Sequence, residues 1–121
     1  MTVKPGVFVS EVMHLMRERG ISSVVVEPGT DALWAIMTQR DIISRIVHAN
    51  RSPARVKVEE IASKPLVTVP TDMSLQECAS RMVESNIRRV VVEEHDIPVG
   101  IVSDTDVFRI VEEFGWEPVL L

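Results

Sequence analysis

Residues 100–106 read Gly-Ile-Val-Ser-Asp-Thr-Asp, and this stretch decides the fold because the chain contains a second version of it. Residues 35–41 read Ala-Ile-Met-Thr-Gln-Arg-Asp. In both stretches an apolar run is followed by a hydroxyl residue and, three positions later, by an aspartate. This order predicts a strand that leads into a helix, since hydroxyl residues are favoured N-caps. The chain therefore carries the same strand-to-helix junction twice.

The two junctions combine groups that a ligand can use. Thr38 and Ser103 are the predicted N-caps, and Asp41 and Asp106 fall at the third helical position. The N-terminus of a helix is electropositive, and its free backbone N–H groups suit a phosphate, while a carboxylate can accept hydrogen bonds from sugar hydroxyls. An acidic residue in the first turn also stabilises any helix, so a purely structural role is the alternative.

The junctions belong to a longer internal repeat. With a shift of 66 positions, residues 2–27 align with residues 68–93 without a gap, and ten pairs are identical. The shift falls to 65 after residues 28–31, a turn-rich stretch in which a change of length is well tolerated. We assign residues 1–57 to copy 1 with a linker, and residues 58–121 to copy 2 with a C-terminal tail.

The sequence of each copy predicts the order strand, helix, strand, turn, strand, helix. Apolar residues at helical spacing place the first helix, which ends at a residue suited to a left-handed C-cap, Gly20 or Asn86. A β-branched run then predicts a strand that pairs as a hairpin with the strand before the junction. Residues 58–61 predict one short helical turn. The predicted first helices and hairpin strands are 9–19, 21–26 and 33–37 in copy 1, and 75–85, 87–92 and 99–102 in copy 2.

Composition limits the classes of function. The 121 residues suit one domain or two very small ones. A net charge of −5 and 4% aromatic residues disfavour nucleic acid and anionic membranes as partners. Cys78 is the one cysteine, so neither an internal disulfide nor a cysteine metal cluster can form. Without a membrane-length apolar run or a signal peptide, we expect a cytoplasmic protein.

Catalytic patterns are missing from the sequence. There is no Gly-x-Ser-x-Gly, no P-loop and no His-Glu-x-x-His, and Ser103 has no base at a readable spacing. The three histidines, His14, His48 and His95, show no metal-ligand spacing. We therefore predict a binding protein with no metal site and no enzymatic activity.

The order of elements, the Ile-Arg-Arg-Val-Val-Val strand at 87–92 and the Gly-x-x-Ser-x-x-Asp junction resemble the cystathionine-β-synthase (CBS) domain. Two copies in tandem resemble a CBS domain pair, or Bateman module, over residues 2 to about 113. The resemblance implies an α/β (α+β) fold with two small three-stranded sheets, helices outside, and a pseudo-two-fold axis between the copies. It also implies two related clefts between the copies and a side-by-side homodimer.

The resemblance further implies that the clefts bind an adenosine-containing ligand, AMP, ADP, ATP or S-adenosylmethionine, with no other cofactor. Asp41 and Asp106 would hold ribose hydroxyls, and Thr38 and Ser103 would contact phosphate or other polar atoms. Basic residues at the start of the β-branched strand would contact phosphates. The candidates for phosphate contact are Arg88 and Arg89, those for the base are Ile21, Met37, Ile87, Pro98 and Val102, and those just before the first strand of copy 2 are Ala62, Ser63 and Pro65.

The two copies differ in ways that predict unequal sites. Copy 1 has Ser22 and Ser23 where copy 2 has Arg88 and Arg89. The chain starts at Met1, so we expect no segment before copy 1 to match the one before copy 2. These differences keep a structural or dimerisation module with empty clefts as an alternative, and the arginines keep nucleic-acid binding as another. We expect the tail, residues 114–121, to cover an apolar surface or to join a self-association contact.

Overall fold

The computed structural model describes residues 1–64 and 66–117, which form two compact units, Met1–Leu66 and Val67–Leu121. Pro65 and the last four residues of the predicted tail lie outside the described residues. Within the described part of the chain, no helix is both long enough and apolar enough to cross a membrane.

The first unit contains a three-stranded sheet in the order β1-β2-β3, with β1 parallel and β3 antiparallel to β2. Its elements are β1 (Thr2–Val3), α1 (Val9–Arg19), β2 (Ser23–Val26), β3 (Ala35–Thr38), α2 (Gln39–Ile42), a π-helical turn (Ile43–Val47) and α3 (Val58–Ile61).

The second unit repeats this arrangement in the order β4-β5-β6. Its elements are β4 (Thr68–Pro70), α4 (Leu75–Glu84), β5 (Arg89–Glu94), β6 (Ile97–Ser103) and α5 (Asp104–Phe114). Two small three-stranded sheets with helices confirm the predicted fold class and the internal repeat.

Local backbone geometry explains where several elements end. Gly20 follows α1 with φ of 61°, and Asn86 lies near the end of α4 with φ of 52°, both in the left-handed region. His95 and Asp96 also have positive φ, at 53° and 63°, and they connect β5 to β6. Two successive left-handed residues match the right-handed twist of a hairpin, which explains the tight β5–β6 turn.

The second helix differs between the copies, although the sequence predicts the same helix in both. In copy 1 the amide of His48 donates to the carbonyl of Ile43 at 2.8 Å, so the helix widens into a π turn after α2. This turn holds Ile46 in the core and lets the Arg45 guanidinium donate to the carbonyl of Ile61 at 2.7 Å. In copy 2, α5 is α-helical throughout.

The two cores differ in what they contain. The first core draws Val56, Val58, Ile61 and Ala62 from the stretch that precedes β4. The second core is a smaller cluster of buried residues on β4, α4 and β5: Val69, Cys78, Met82 and Val90. The two compact units therefore meet after Leu66, whereas the copy 2 assigned from the sequence starts at residue 58.

Residues 56–64, the connecting segment, are attached to the first unit by backbone hydrogen bonds at two places. The amide of Val9 donates to the carbonyl of Val56 at 2.8 Å, and the amide of Val58 donates to the carbonyl of Val7 at 2.9 Å. Further along, Ser63 and Ile36 exchange two backbone hydrogen bonds, of 2.8 and 3.0 Å. These bonds bring the end of the segment to the outer edge of β3, beside the first junction.

Candidate functional site

The first junction is a reciprocal helix cap, as the sequence predicts. The hydroxyl oxygen of Thr38 accepts the amide hydrogen of Asp41 at 3.2 Å. In return, Oδ2 of Asp41 accepts the amide of Thr38 at 2.9 Å and its hydroxyl at 3.1 Å. Such a capping box satisfies donors that the first helical turn otherwise leaves unpaired, and it fixes the carboxylate at the end of β3.

A residue 22 positions further along the chain supplies another hydrogen bond to this carboxylate. The hydroxyl of Ser63 donates to Oδ1 of Asp41 at 3.0 Å. The Asp41 residue is only 9% exposed, and it is the one charged residue counted as buried among the described residues. Its two oxygens thus accept three side-chain and backbone hydrogen bonds, which offset the cost of burying the charge.

The second junction has the same cap but a more open carboxylate. The hydroxyl oxygen of Ser103 accepts the amide of Asp106 at 3.1 Å, and Oδ2 of Asp106 accepts the amide of Ser103 at 2.8 Å. The other oxygen, Oδ1, lies 3.7 Å from Nη1 of Arg109, and the Asp106 side chain is 41% exposed. Within the described residues, no hydroxyl from elsewhere in the chain donates to Asp106 as Ser63 does to Asp41.

Electrostatics keep the second carboxylate ionised. The hydrogen bond from the Ser103 amide is the largest cause that lowers the pKa of Asp106 below its ordinary value, and partial burial opposes it. The positive charges of Arg109 and Arg89 lower this pKa further. Asp106 is therefore an acceptor-only carboxylate at neutral pH, with one oxygen directed to a cationic, half-exposed surface.

Each junction also has a strand edge that sequence reasoning missed. Ile36 directs its N–H and C=O away from β2, where they pair with Ser63. The register pairs Ile101 with Val91 as it pairs Ile36 with Val25, so Ile101 directs its own N–H and C=O away from β5. No described residue hydrogen-bonds to either group of Ile101. In the sequence, Ile36 and Ile101 each stand two positions before an N-cap, and that position is the signal that could have identified these strand edges.

The prediction of free backbone N–H groups at the helix N-termini is wrong for α5. The amide of Asp104 donates to the carbonyl of Arg88 at 2.9 Å, and the amide of Thr105 donates to Oδ1 of Asp104 at 2.8 Å. The amide of Asp106 donates to the hydroxyl oxygen of Ser103 in the cap. Because all three amides are occupied and two aspartates lie in this turn, attraction for an anion here must come from side chains.

Arg89 supplies a positive charge beside the second junction. In the β5–β6 register it lies directly opposite Ser103, while Ser23 occupies the corresponding position opposite Thr38. Arg89 is half-buried and Arg88 is exposed. Copy 2 therefore has a guanidinium at the position where copy 1 has a neutral hydroxyl.

The predicted base-contacting residues differ in their exposure and in their position within each unit. Met37 has no exposed surface, so a base cannot contact its side chain without moving the sheet. Ile21 lines a groove of about 530 Å³ in the first unit, which reaches Gln39 but neither Thr38 nor Asp41. Ile87 and Val102 are half-buried against the second core. Pro98 lies five positions before Ser103 on β6, about 16 Å along the strand.

The other chemically reactive side chains in the described part of the chain do not form a second centre. Among residues 1–64 and 66–117, no group of three or more His, Cys, Asp or Glu is placed to hold a metal ion. His14, His48 and His95 are exposed, and His14 lies 3.1 Å from Glu18. Cys78 is buried in the second core, as its helical position predicts.

Comparison with known proteins gives a consistent result. A family model described as CBS domain matches residues 1–48 and 58–113. An uncharacterized protein of Methanopyrus kandleri is 35% identical over 83% of this chain, which spans 52% of that relative's length. A CBS-domain protein of Burkholderia ambifaria superposes with a TM-score of 0.83 at 29% identity, covering 98% of this chain and 87% of the other. A hexameric CBS-CP12 protein from bloom-forming cyanobacteria also gives 0.83, at 26% identity, covering 94% of this chain and 68% of the other.

Proposed function

Because the chain belongs to the CBS-domain family and carries two CBS domains in tandem, we propose that it is a non-catalytic regulatory module. Its ligand is an adenine nucleotide, AMP, ADP or ATP. The nucleotide binds at the strand-to-helix junctions, and the junction of copy 2 binds it more tightly than that of copy 1.

The observation that carries this proposal is a set of three hydrogen-bonding groups at the second junction. Ile101 directs a backbone donor and a backbone acceptor outward from β6, and Asp106 adds a carboxylate oxygen that is accessible to solvent. At the first junction the equivalent groups of Ile36 and Asp41 hold a backbone N–H, a backbone C=O and a hydroxyl of Ser63. Adenosine offers the same three kinds of group, since its base has adjacent donors and acceptors and its ribose has hydroxyls.

Charge near the second junction supports a phosphorylated ligand. Arg89 lies opposite Ser103, and Arg109 lies 3.7 Å from the carboxylate of Asp106. Guanidinium groups bind phosphate oxygens in a bidentate geometry. The net charge of −5 restricts attraction for phosphates to such local clusters and counts against nucleic acid as the partner.

Regulation follows only if the nucleotide binds one conformation of the chain more tightly than another. The junction residues lie at the ends of β6 and α5, so a nucleotide held there would restrain the strand edge and the first helical turn together. A protein partner that recognises this restrained form would then respond to the nucleotide concentration.

Calorimetric titration of the full chain with AMP, ADP, ATP and S-adenosylmethionine tests the proposal. We expect at least one adenine nucleotide to bind, and we expect Asp106→Asn to weaken that binding by tenfold or more. Loss of a hydrogen bond from a ribose hydroxyl to a charged acceptor accounts for a change of this size.

Asp72→Asn is the matched control, because it removes the same charge at an exposed position before α4, away from the junction. The proposal fails if no nucleotide binds at millimolar concentration, or if Asp106→Asn binds as tightly as Asp72→Asn. Preferential binding of S-adenosylmethionine would keep the site but replace the nucleotide as its ligand.

We also propose that the chain self-associates through the α4–α5 face of the second unit. An apolar groove of about 500 Å³ lies between these helices, lined by residues that include Val83, Val107 and Trp116. Val83 and Trp116, both in this lining, are 80% and 48% exposed, which is unusual for large apolar side chains on one face. A second copy is the occupant that we favour, because the related CBS-CP12 structure is described as hexameric.

Sedimentation velocity tests self-association. Val83→Glu places a charge in the groove and is expected to shift the chain to a monomer, while Val99→Glu, at a 55% exposed position on β6, leaves the assembly intact. A wild-type chain that sediments as a monomer at tens of micromolar would rule the contact out.

A further inference from the structure

The contact between Ser63 and Asp41 gives the first junction a property that the second lacks. Ser63 reaches the junction from the end of the connecting segment, where its backbone is held by two hydrogen bonds to Ile36. Its hydroxyl donates to Oδ1 of Asp41 at 3.0 Å. The hydroxyl of Ser63 thus bonds to Asp41, whereas its backbone bonds to Ile36.

Most of the hydrogen-bond acceptor positions on the Asp41 carboxylate are already occupied. A carboxylate has about four lone-pair positions, two on each oxygen. Oδ2 accepts both the amide and the hydroxyl of Thr38, and Oδ1 accepts Ser63. Because Asp41 is only 9% exposed, we infer that a ligand hydroxyl reaches this carboxylate at Oδ1, the oxygen to which the Ser63 hydroxyl donates.

We propose, resting on the function proposed above, that Ser63 is an internal competitor for Asp41 and lowers the nucleotide affinity of the first junction. A ribose hydroxyl binds Asp41 by replacing the Ser63 hydroxyl on Oδ1. Rotation of the Ser63 side chain frees Oδ1 while the backbone pairing with Ile36 stays in place, so a nucleotide at this junction gains the carboxylate of Asp41 but not the backbone groups of Ile36. The second junction has no such competitor among the described residues, so it fills at lower nucleotide concentration.

The direction in which one substitution changes the affinity for AMP tests this inference. In an Asp106→Asn background, where binding reports on the first junction, Ser63→Ala is expected to tighten AMP binding about three- to tenfold. The reason is that the ligand no longer displaces a hydrogen bond to a charged group. Ser63→Thr keeps a hydroxyl and should retain the affinity of the background, and Ser44→Ala, an exposed serine in the π turn, should have no effect.

Every other outcome overturns the inference. Weaker binding in Ser63→Ala would show that the hydroxyl contacts the ligand and assists it, and unchanged binding would show that it does not compete. If AMP does not bind at all in the Asp106→Asn background, the first junction is no nucleotide site. The proposed function is judged separately, by binding to the chain in which Asp106 is intact. A melting curve for each variant confirms that it is folded.

Discussion

The two junctions have the same pattern in sequence and the same cap in structure, yet their carboxylates have different surroundings. Asp41 is 9% exposed and accepts hydrogen bonds from Thr38 and Ser63. Asp106 is half-buried, and its outer oxygen lies near Arg109. The comparison teaches that a repeated motif fixes the local cap, whereas a residue distant in sequence decides whether the cap is open to a ligand.

The same contrast extends to the two cores. The connecting segment adds Val58 and Ile61, both with no exposed surface, to the first core. The second unit has no counterpart to this segment among the described residues, and none of the residues of α5 is buried. The second copy is therefore the part of the chain with more apolar surface available for contacts with other molecules.

The largest expected effect comes from truncating equivalent residues in the two second helices. Ile46 and Val111 align in the repeat, but Ile46 is 2% exposed and Val111 is only half-buried. Ile46→Ala should lower the free energy of unfolding by about 2–5 kcal/mol, because it leaves a cavity in the first core. Val111→Ala should cost less than about 1 kcal/mol. Urea unfolding followed by circular dichroism measures both values.

Equal losses for the two variants would mean that α5 is as well packed as the helix of copy 1. Measurement at low micromolar concentration is the necessary control, because self-association through the α4–α5 face would add burial at Val111. A loss at Val111 that grows with protein concentration would sharpen the comparison and would support that contact.

A smaller difference is expected when each junction loses its carboxylate. Asp41→Ala leaves the Thr38 amide and the Ser63 hydroxyl without their acceptor in a buried place, so we expect a loss of about 2–3 kcal/mol. Asp106→Ala removes one capping hydrogen bond at a half-exposed place, and we expect a loss of about 1 kcal/mol. Thermal unfolding of both variants checks the order.

The reverse order would contradict the assignment of the closed and open carboxylates. The double variant Asp41→Ala plus Ser63→Ala is the control for the first junction. If the two residues act through their hydrogen bond, the double variant should be less destabilised than the sum of the single variants.

Local chemistry explains what could be predicted from the sequence. A hydroxyl residue three positions before an aspartate specifies a capping box, and both boxes form. Gly20 and Asn86 favour the left-handed conformation, and both adopt it. The helical turn Val58–Ile61 was also predicted, and it forms.

The features that could not be predicted depend on contacts between distant residues. The sequence made Ser63 a candidate residue for the site of Asp41, but it did not specify a hydrogen bond between them, because 22 residues of π turn, loop and α3 determine where Ser63 lies. The occupied amides of α5 were missed because the carbonyl of Arg88 comes from a neighbouring strand. The burial of Met37 was missed because a strand residue next to an N-cap can face either the core or a ligand.

The sequence by itself determined two copies of one strand-and-helix unit, their helix caps and the family to which the chain belongs. These properties depend on residues close together along the chain, whose conformational preferences act over a few positions. Only the tertiary structure decided that the connecting segment packs into the first core and that Ser63 covers Asp41 while Asp106 stays accessible. Burial and access depend on which distant segments meet, and a local pattern of residues does not specify such meetings.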